Sequence, residues 1–156
     1  WPLIGDEDGQ VTPCNEVSTG SLEREWNHNP DKDAYRYDAK QKVLELKTSP
    51  VVDHIFMARN TLTWRMSGPT CSGVVCLDIS GMQEGDRAGF AAFNGDAGLM
   101  TLCRDGGQTQ LVLTEESVVL NPEKQVTDTQ VREQARVEIN SKKIWLATSR
   151  DRNIFA

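Results

Sequence analysis

Apolar and polar residues alternate in short runs along most of the chain, and Gly, Pro, Asn and Asp residues separate these runs. In an extended strand such alternation collects the apolar side chains on one face. The clearest runs are Leu44 and Leu46, then Val75, Leu77 and Ile79, then Ala88, Phe90 and Ala92, then Leu111 and Leu113, then Val137 and Ile139, and finally Ile144 and Leu146. Period-two alternation between frequent turns is typical of an all-β sandwich or barrel.

The same alternation predicts which side chains form the core. We expect buried positions at Leu77, Ile79, Phe90, Leu111, Val137 and Leu146. Helix signals are nearly absent, and the one candidate is the stretch 128–137, where Val131 and Ala135 could share a helical face. Because Ala135, Val137 and Ile139 also alternate cleanly, we favour a strand for this stretch.

The two ends of the chain differ from the rest. Residues 1–16 are rich in Gly, Pro and Asp and lack alternation, so we interpret them as a leader or linker before a β-sandwich domain at 17–156. At the other end, residues 154–156 resemble the start of another strand. A strand without a partner leaves backbone groups unpaired. We therefore expect a sandwich that lacks its last strands or borrows strands from elsewhere.

Charge narrows the classes of partner. The chain carries 17 Lys and Arg residues against 23 Asp and Glu residues, a net charge of −6. This balance argues against binding to nucleic acid or to an anionic membrane surface, both of which need clustered positive charge. The apolar runs are too short to span a bilayer, and no signal-peptide pattern occurs in this sequence.

The four cysteines are scattered, at positions 14, 71, 76 and 103. No pair has the two-residue gap of a zinc knuckle or a redox motif. Buried free thiols are therefore favoured, while one or two disulfides in an exported protein remain the alternative. Cysteine usage leaves the redox compartment open. The location is therefore unknown from the cysteines, and an extracellular or periplasmic one is favoured on other grounds.

Catalytic and metal motifs are missing from the sequence. It contains no G-x-S-x-G elbow, no H-E-x-x-H and no phosphate-binding loop. The acidic run 6–9 resembles part of a calcium loop but lacks the spacing and distal Glu of an EF-hand, and a solvated turn is the simpler interpretation. We predict no cofactor and no catalytic residue. A structural calcium ion stays open without assigned ligands.

Sugar-binding residue types are concentrated in two stretches of the sequence. Trp26 and His28 lie in EWNHNP (25–30), and the stretch 59–65 as a strand would place Asn60 and Trp64 on one face and Arg59 on the other. Aromatic rings cover the C–H faces of sugars, and amide and guanidinium groups bind the hydroxyls. The candidates for sugar contact are Trp26, His28, Arg59, Asn60 and Trp64, with Arg87 and Asn94 as weaker ones.

Each of these candidates also has a structural interpretation. Tryptophan is highly buried on average, so Trp26, Trp64 and also Trp145 are alternatively core residues. His28 is alternatively a structural histidine in a hydrogen-bonded turn.

Three motifs occur in order, WNHNP (26–30), ARNTLT (58–63) and GDRAG (85–89). Together they resemble the C-terminal β-sandwich domain of family 43 glycoside hydrolases, the β-xylosidase and arabinofuranosidase group, over roughly residues 1–105. The resemblance implies a concanavalin A-like jelly roll, also treated as a xylan-binding module. The sequence departs from the family at Trp64, where Gln is usual, and at Tyr35, where Trp is usual.

The resemblance also implies a function and a partner. Residues 1–9 resemble the end of a propeller catalytic domain, and the family's catalytic acids lie in that propeller. We therefore expect a non-catalytic accessory module that binds xylan or xylo-oligosaccharide, or that completes the active site of the adjacent propeller. The alternatives are a purely structural sandwich and a self-contained jelly-roll glycanase, although Glu115–Glu116 does not match the Glu-x-Asp-x-x-Glu pattern of such enzymes.

Overall fold

The computed structural model describes residues 24–27, 30–48, 51–64, 70–94, 96–123 and 125–151. Within these ranges there are ten strands and two short 3₁₀ helices, Lys32–Ala34 and Ile55–Met57. The strands are β1 (Arg24–Trp26), β2 (Tyr35–Asp38), β3 (Val43–Leu46), β4 (Leu62–Trp64), β5 (Thr70–Asp78), β6 (Arg87–Asn94), β7 (Asp96–Asp105), β8 (Gln108–Leu120), β9 (Val126–Ile139) and β10 (Lys143–Asp151).

The all-β prediction is confirmed, and so is the strand interpretation of 128–137, which lies inside β9. The chain divides into two compact units, Trp1–Cys71 and Ser72–Ala156, which we call the first and the second unit. The predicted leader at 1–16 lies outside the described residues.

The first unit contains two antiparallel strand pairs, β1 with β4 and β2 with β3. The turn between β2 and β3 is stabilised by Asp38, whose Oδ1 accepts hydrogen bonds from the backbone N–H groups of Lys40 (2.9 Å) and Gln41 (3.0 Å). Across the same hairpin, the Arg36 guanidinium donates two hydrogen bonds to the Glu45 carboxylate, at 2.8 and 3.0 Å. Local polar contacts thus fix this hairpin.

The second unit contains a four-stranded antiparallel sheet in the order β6-β7-β8-β9. Gly106 and Gly107 form the tight turn from β7 to β8, with φ angles of 59° and 78° that favour glycine. The carboxylate of Glu84 closes over this turn, because it accepts hydrogen bonds from the N–H groups of Gly106 (2.5 Å) and Gly107 (3.2 Å).

The other sheet of the second unit pairs β5 with β10, and both of these strands contact β6. A Cβ atom on Gly73 of β5 would lie 3.0 Å from the ring of Phe90 on β6. The glycine therefore lets the aromatic ring approach the β5 backbone. Leu102 on β7 has no exposed surface, and Leu146 on β10 is buried. These side chains place an apolar core in the second unit.

The predicted core is confirmed at Ile79 and Leu146, which are buried, while Leu77, Phe90 and Leu111 are half-buried. The prediction for Val137 is wrong, since its side chain is 55% exposed. Val137 lies on β9, the edge strand of the four-stranded sheet. Alternation identifies the face on which a side chain lies, but it does not show whether another layer covers that face.

The cysteines of the described residues are free thiols. Cys71 and Cys103 are half-buried, and Cys76 is exposed, so the expectation of burial is wrong for Cys76. Cys14 lies outside the described residues. In the part of the chain that the structure describes, no helix has the length and apolar character needed to cross a membrane.

Candidate functional site

Two of the candidate sugar-contact residues lie on one face of the β1–β4 pair. The register places Trp26 opposite Leu62 and Arg24 opposite Trp64. Opposed residues of an antiparallel pair point to the same side, and diagonal neighbours lie about 7–8 Å apart, within reach of aromatic side chains. Trp26 and Trp64 are such diagonal neighbours. We call the face that carries them the tryptophan face.

The two rings of the tryptophan face differ in exposure. Trp64 is 53% exposed, so the core interpretation is wrong for this residue. Trp26 is half-buried and contacts Tyr35, with ring centroids 4.8 Å apart and a tilt of 44° between the ring planes. Tilted aromatic pairs are favourable beyond the area that they bury. One indole is therefore held in place by a second ring, while about half of the surface of Trp64 is exposed.

Asn27 fixes the chain next to Trp26. Its backbone N–H donates to the carbonyl of Thr61 at 2.9 Å, and its side-chain Nδ2 donates to the carbonyl of Phe56 at 3.0 Å. On the other face of the ribbon, the Thr63 hydroxyl donates to the carbonyl of Glu25 at 2.7 Å. These bonds attach the end of β1 to the segment that leads into β4.

Asn60 lies in a turn before β4, because the described strand begins only at Leu62. Its Nδ2 donates to the carbonyls of Lys47 (3.0 Å) and Ala34 (3.3 Å), and its Oδ1 is shielded from solvent. The two carbonyls fix which amide atom is the nitrogen and use both of its hydrogens. Asn60 therefore clamps the β2–β3 hairpin to β4. Its contact with sugar stays a prediction.

The other candidate residues are distributed along the chain. Arg59 is exposed in the same turn as Asn60. Arg87 and Asn94 lie at opposite ends of β6 in the second unit, about 23 Å apart at the usual rise of an extended strand. His28 lies outside the described residues. Among the described candidates, only Trp26 and Trp64 are brought onto one face, and their role in binding also stays a prediction.

The sequence did not single out Trp145 or Tyr35 as exposed or ring-stacking residues. Trp145 on β10 is 48% exposed, between the half-buried Ile144 and the buried Leu146. The alternation at 144–146 already placed Trp145 on the outer face, so this signal was available. The contact between Tyr35 and Trp26 joins β2 to β1. The spacing of residues along the chain did not indicate this contact.

Comparison with known families decides what kind of domain carries this face. The family model of the β-xylosidase C-terminal concanavalin A-like domain matches residues 18–154. The chain belongs to this family. The match runs through β10. It therefore also covers the residues beyond 105, where the resemblance found in the sequence ended. The resemblance to the C-terminal domain of family 43 glycoside hydrolases and the concanavalin A-like fold are thus confirmed.

A solved structure supports the same assignment for this concanavalin A-like domain. It is a family 43 glycoside hydrolase engineered in its active site, which displays both endo-xylanase and exo-arabinofuranosidase activity. The TM-score is 0.76 at 29% sequence identity, and the alignment covers 96% of this chain. The chain spans 33% of the length of that enzyme. No match was found among curated proteins.

Proposed function

We propose that the chain is a non-catalytic accessory domain of a family 43-type glycoside hydrolase and binds a xylan-like polysaccharide through its tryptophan face. The family supports the link to a glycosidase. The observation that carries the proposal is the exposed ring of Trp64 on the same face as Trp26. Aromatic residues that share one face form an apolar patch, and exposed apolar patches often mark binding surfaces.

The tryptophan face suits a sugar chain for two physical reasons. An indole ring offers apolar area to the C–H face of a sugar, and burying that area is favourable. The ring of Trp26 and the strands below it are already fixed by Tyr35, Asn27 and Asn60, so little ordering remains to be done on binding. The net charge of −6 is compatible with a neutral polysaccharide.

Isothermal titration of the 156-residue chain with xylo-oligosaccharides tests the proposal. We expect Trp64→Ala to weaken binding on the order of tenfold, because it removes the exposed ring. The unfolding midpoint should hardly change, since Trp64 is 53% exposed. Trp145→Ala is the matched control, because Trp145 is 48% exposed on a strand of the second unit, and it should bind as the unaltered chain does.

Two results would contradict this proposal. Unchanged affinity in Trp64→Ala removes the tryptophan face from binding, and an unfolded Trp64→Ala chain makes Trp64 a structural residue. No heat at millimolar sugar leaves a purely structural role for the domain.

A second candidate function is completion of the active site of an adjacent propeller. It is favoured by the solved family 43 enzyme, of which this chain matches one third. The test is the activity of a family 43 catalytic domain with and without this chain appended. A change in KM that Trp64→Ala abolishes would support active-site completion, and unchanged kinetic constants would exclude it.

A further inference from the structure

A polar cleft of about 370 Å³ lies at one end of the second unit. It is bounded by the end of β5, the turn from β7 to β8 and the turn from β9 to β10. The volume lies in the lower range of small-ligand sites. None of the candidate sugar-contact residues of the sequence analysis lines this cleft.

The floor of the cleft is a row of three side chains across the four-stranded sheet. The register places Arg104 opposite Thr109 and Thr109 opposite Ile139. Thr109 is buried and Arg104 is half-buried, and Arg104 Nη1 donates to Thr109 Oγ1 at 3.3 Å. Among the described residues the guanidinium makes no other hydrogen bond. Four of its five N–H donors are therefore not used by the described residues.

The backbone around Arg104 is fixed on both sides of the cleft. Arg104 donates its N–H to the carbonyl of Asp86 at 3.1 Å, and its own carbonyl accepts from the N–H of Gly85 at 2.9 Å. The opposite wall is closed by the N–H of Ile79, which donates to the carbonyl of Lys142 at 2.8 Å. The cleft is therefore preorganised, which lowers the entropy lost on binding.

The charged residues of the lining are Arg104, Lys142 and Glu138. Outside the lining, Glu84 interacts electrostatically with Arg104, and Asp78 interacts with Lys142. A guanidinium with unused donors pairs with a planar carboxylate through two parallel hydrogen bonds. The amides of Gln108 and Asn140 also line the cleft and can bind hydroxyl groups. The lining thus combines one site for a carboxylate with sites for several hydroxyls.

We propose that this cleft binds a carboxylate-bearing sugar, a uronic acid, with Arg104 and Lys142 on its carboxylate and the amides of Gln108 and Asn140 on its hydroxyls. The sugar part of the inference rests on the proposed function. The cleft extends that function from a neutral chain to an acidic side group on it.

The first test compares D-glucuronic acid with D-glucose, its matched neutral sugar, by titration of the 156-residue chain. Glucuronic acid should bind on the order of tenfold more tightly than glucose, because a charge-assisted pair adds to the hydroxyl contacts. Added salt should weaken the difference. In NMR spectra, the amide signals of Gly107, Gln108 and Lys142 should shift. Equal affinity for the two sugars, or shifts confined to other residues, would overturn the proposal.

The second test uses variants of the cleft. Arg104→Gln keeps a donor but removes the charge, and should lower glucuronic acid affinity on the order of tenfold. Lys142→Gln, at an exposed position, should lower it severalfold and tests the site even if Arg104→Gln fails to fold. Arg132→Gln removes the same charge from an exposed position of β9 outside the cleft and should change nothing. Unchanged affinity in both cleft variants contradicts the site.

Xylo-oligosaccharide titrations on the same samples separate this inference from the proposed function. Binding of the neutral oligosaccharide without binding of glucuronic acid overturns the cleft alone. Binding of glucuronic acid that depends on Arg104, without binding of the neutral oligosaccharide, overturns the tryptophan face alone. Binding of neither sugar overturns both.

Discussion

The two units of the chain are stabilised by different kinds of interaction. In the first unit the strands have three or four residues, Ala34 is the one buried apolar residue among those described, and the amides of Asn27 and Asn60 join the pieces. In the second unit the strands are longer, from 8 to 14 residues, and Leu102 is fully buried between neighbours in the sheet.

This difference affects which side chains each unit exposes for binding. Short strands bury little apolar surface, so side-chain hydrogen bonds to backbone carbonyls hold their geometry, and a large ring such as Trp64 is left exposed. The long strands of the second unit form a core and present charged groups where they end, as in the cleft around Arg104. The two candidate sites accordingly differ in chemistry, one aromatic and one charged.

The largest expected effect is on the core of the second unit. Leu102→Ala should lower the free energy of unfolding by about 2–5 kcal/mol, because it leaves a cavity at a position with no exposed surface. Urea unfolding measures this loss. Leu120→Ala is the control, since Leu120 lies on β8 of the same sheet but is 48% exposed. Equal losses in the two variants would mean that burial does not distinguish these positions.

The next effect concerns the clamp of the first unit. Asn60→Ala should lower the free energy of unfolding by about 1–2 kcal/mol, because the carbonyls of Lys47 and Ala34 each lose one hydrogen bond. Hydrogen exchange of the Lys47 amide, which bonds to the carbonyl of Ala34, should become faster. Gln41→Ala serves as control, since the Gln41 side chain is exposed and makes no hydrogen bond among the described residues. A loss no larger than in this control would remove the proposed role of the clamp.

The smallest effect concerns the turn that borders the cleft. The N–H groups of Gly106 and Gly107 lower the pKa of Glu84. A carboxyl whose pKa is lower in the folded state stabilises the fold above its unfolded pKa, and this contribution is lost as the pH falls through the folded value. Glu84→Gln should therefore slightly lower the free energy of unfolding at neutral pH. Below about pH 4.3, the free energy of unfolding of this variant should fall less steeply with pH than that of the unaltered chain.

Urea midpoints at neutral and acidic pH test this expectation. Glu123→Gln is the control, because Glu123 is an exposed carboxylate with no hydrogen bond among the described residues. If the two variants lose stability in parallel on acidification, the turn does not depend on the charge of Glu84.

Much of the fold could be predicted from local pattern. Around Leu77 on β5 and around Leu146 on β10, the alternation correctly predicts which face of the strand is more buried. Val137 has the same pattern but is exposed, because a side chain is buried only where another layer packs on its face of the sheet. Which faces are covered is a property of the whole fold and is not encoded in the spacing of one segment.

The candidate sites were predictable only in part. Trp26 and Trp64 were identified by residue type, and the register of β1 with β4 then placed them on one face. Asn60 was expected on a strand face, but its amide is used by carbonyls from two other segments. The cleft could not be predicted, since Arg104, Glu138 and Lys142 come from separate strands and turns.

The clamp at Asn60 is also sensitive to a chemical change of its side-chain amide. Its two amide hydrogens point at carbonyl oxygens, and an aspartate at this position would place a negative charge against the same oxygens. Hydrolysis of the side-chain amide during storage makes this change without any mutation, and asparagine is among the thermolabile residues. A stored preparation would then gain one negative charge at this turn, visible as an acidic isoform, and the ribbon that carries Trp64 would loosen with it.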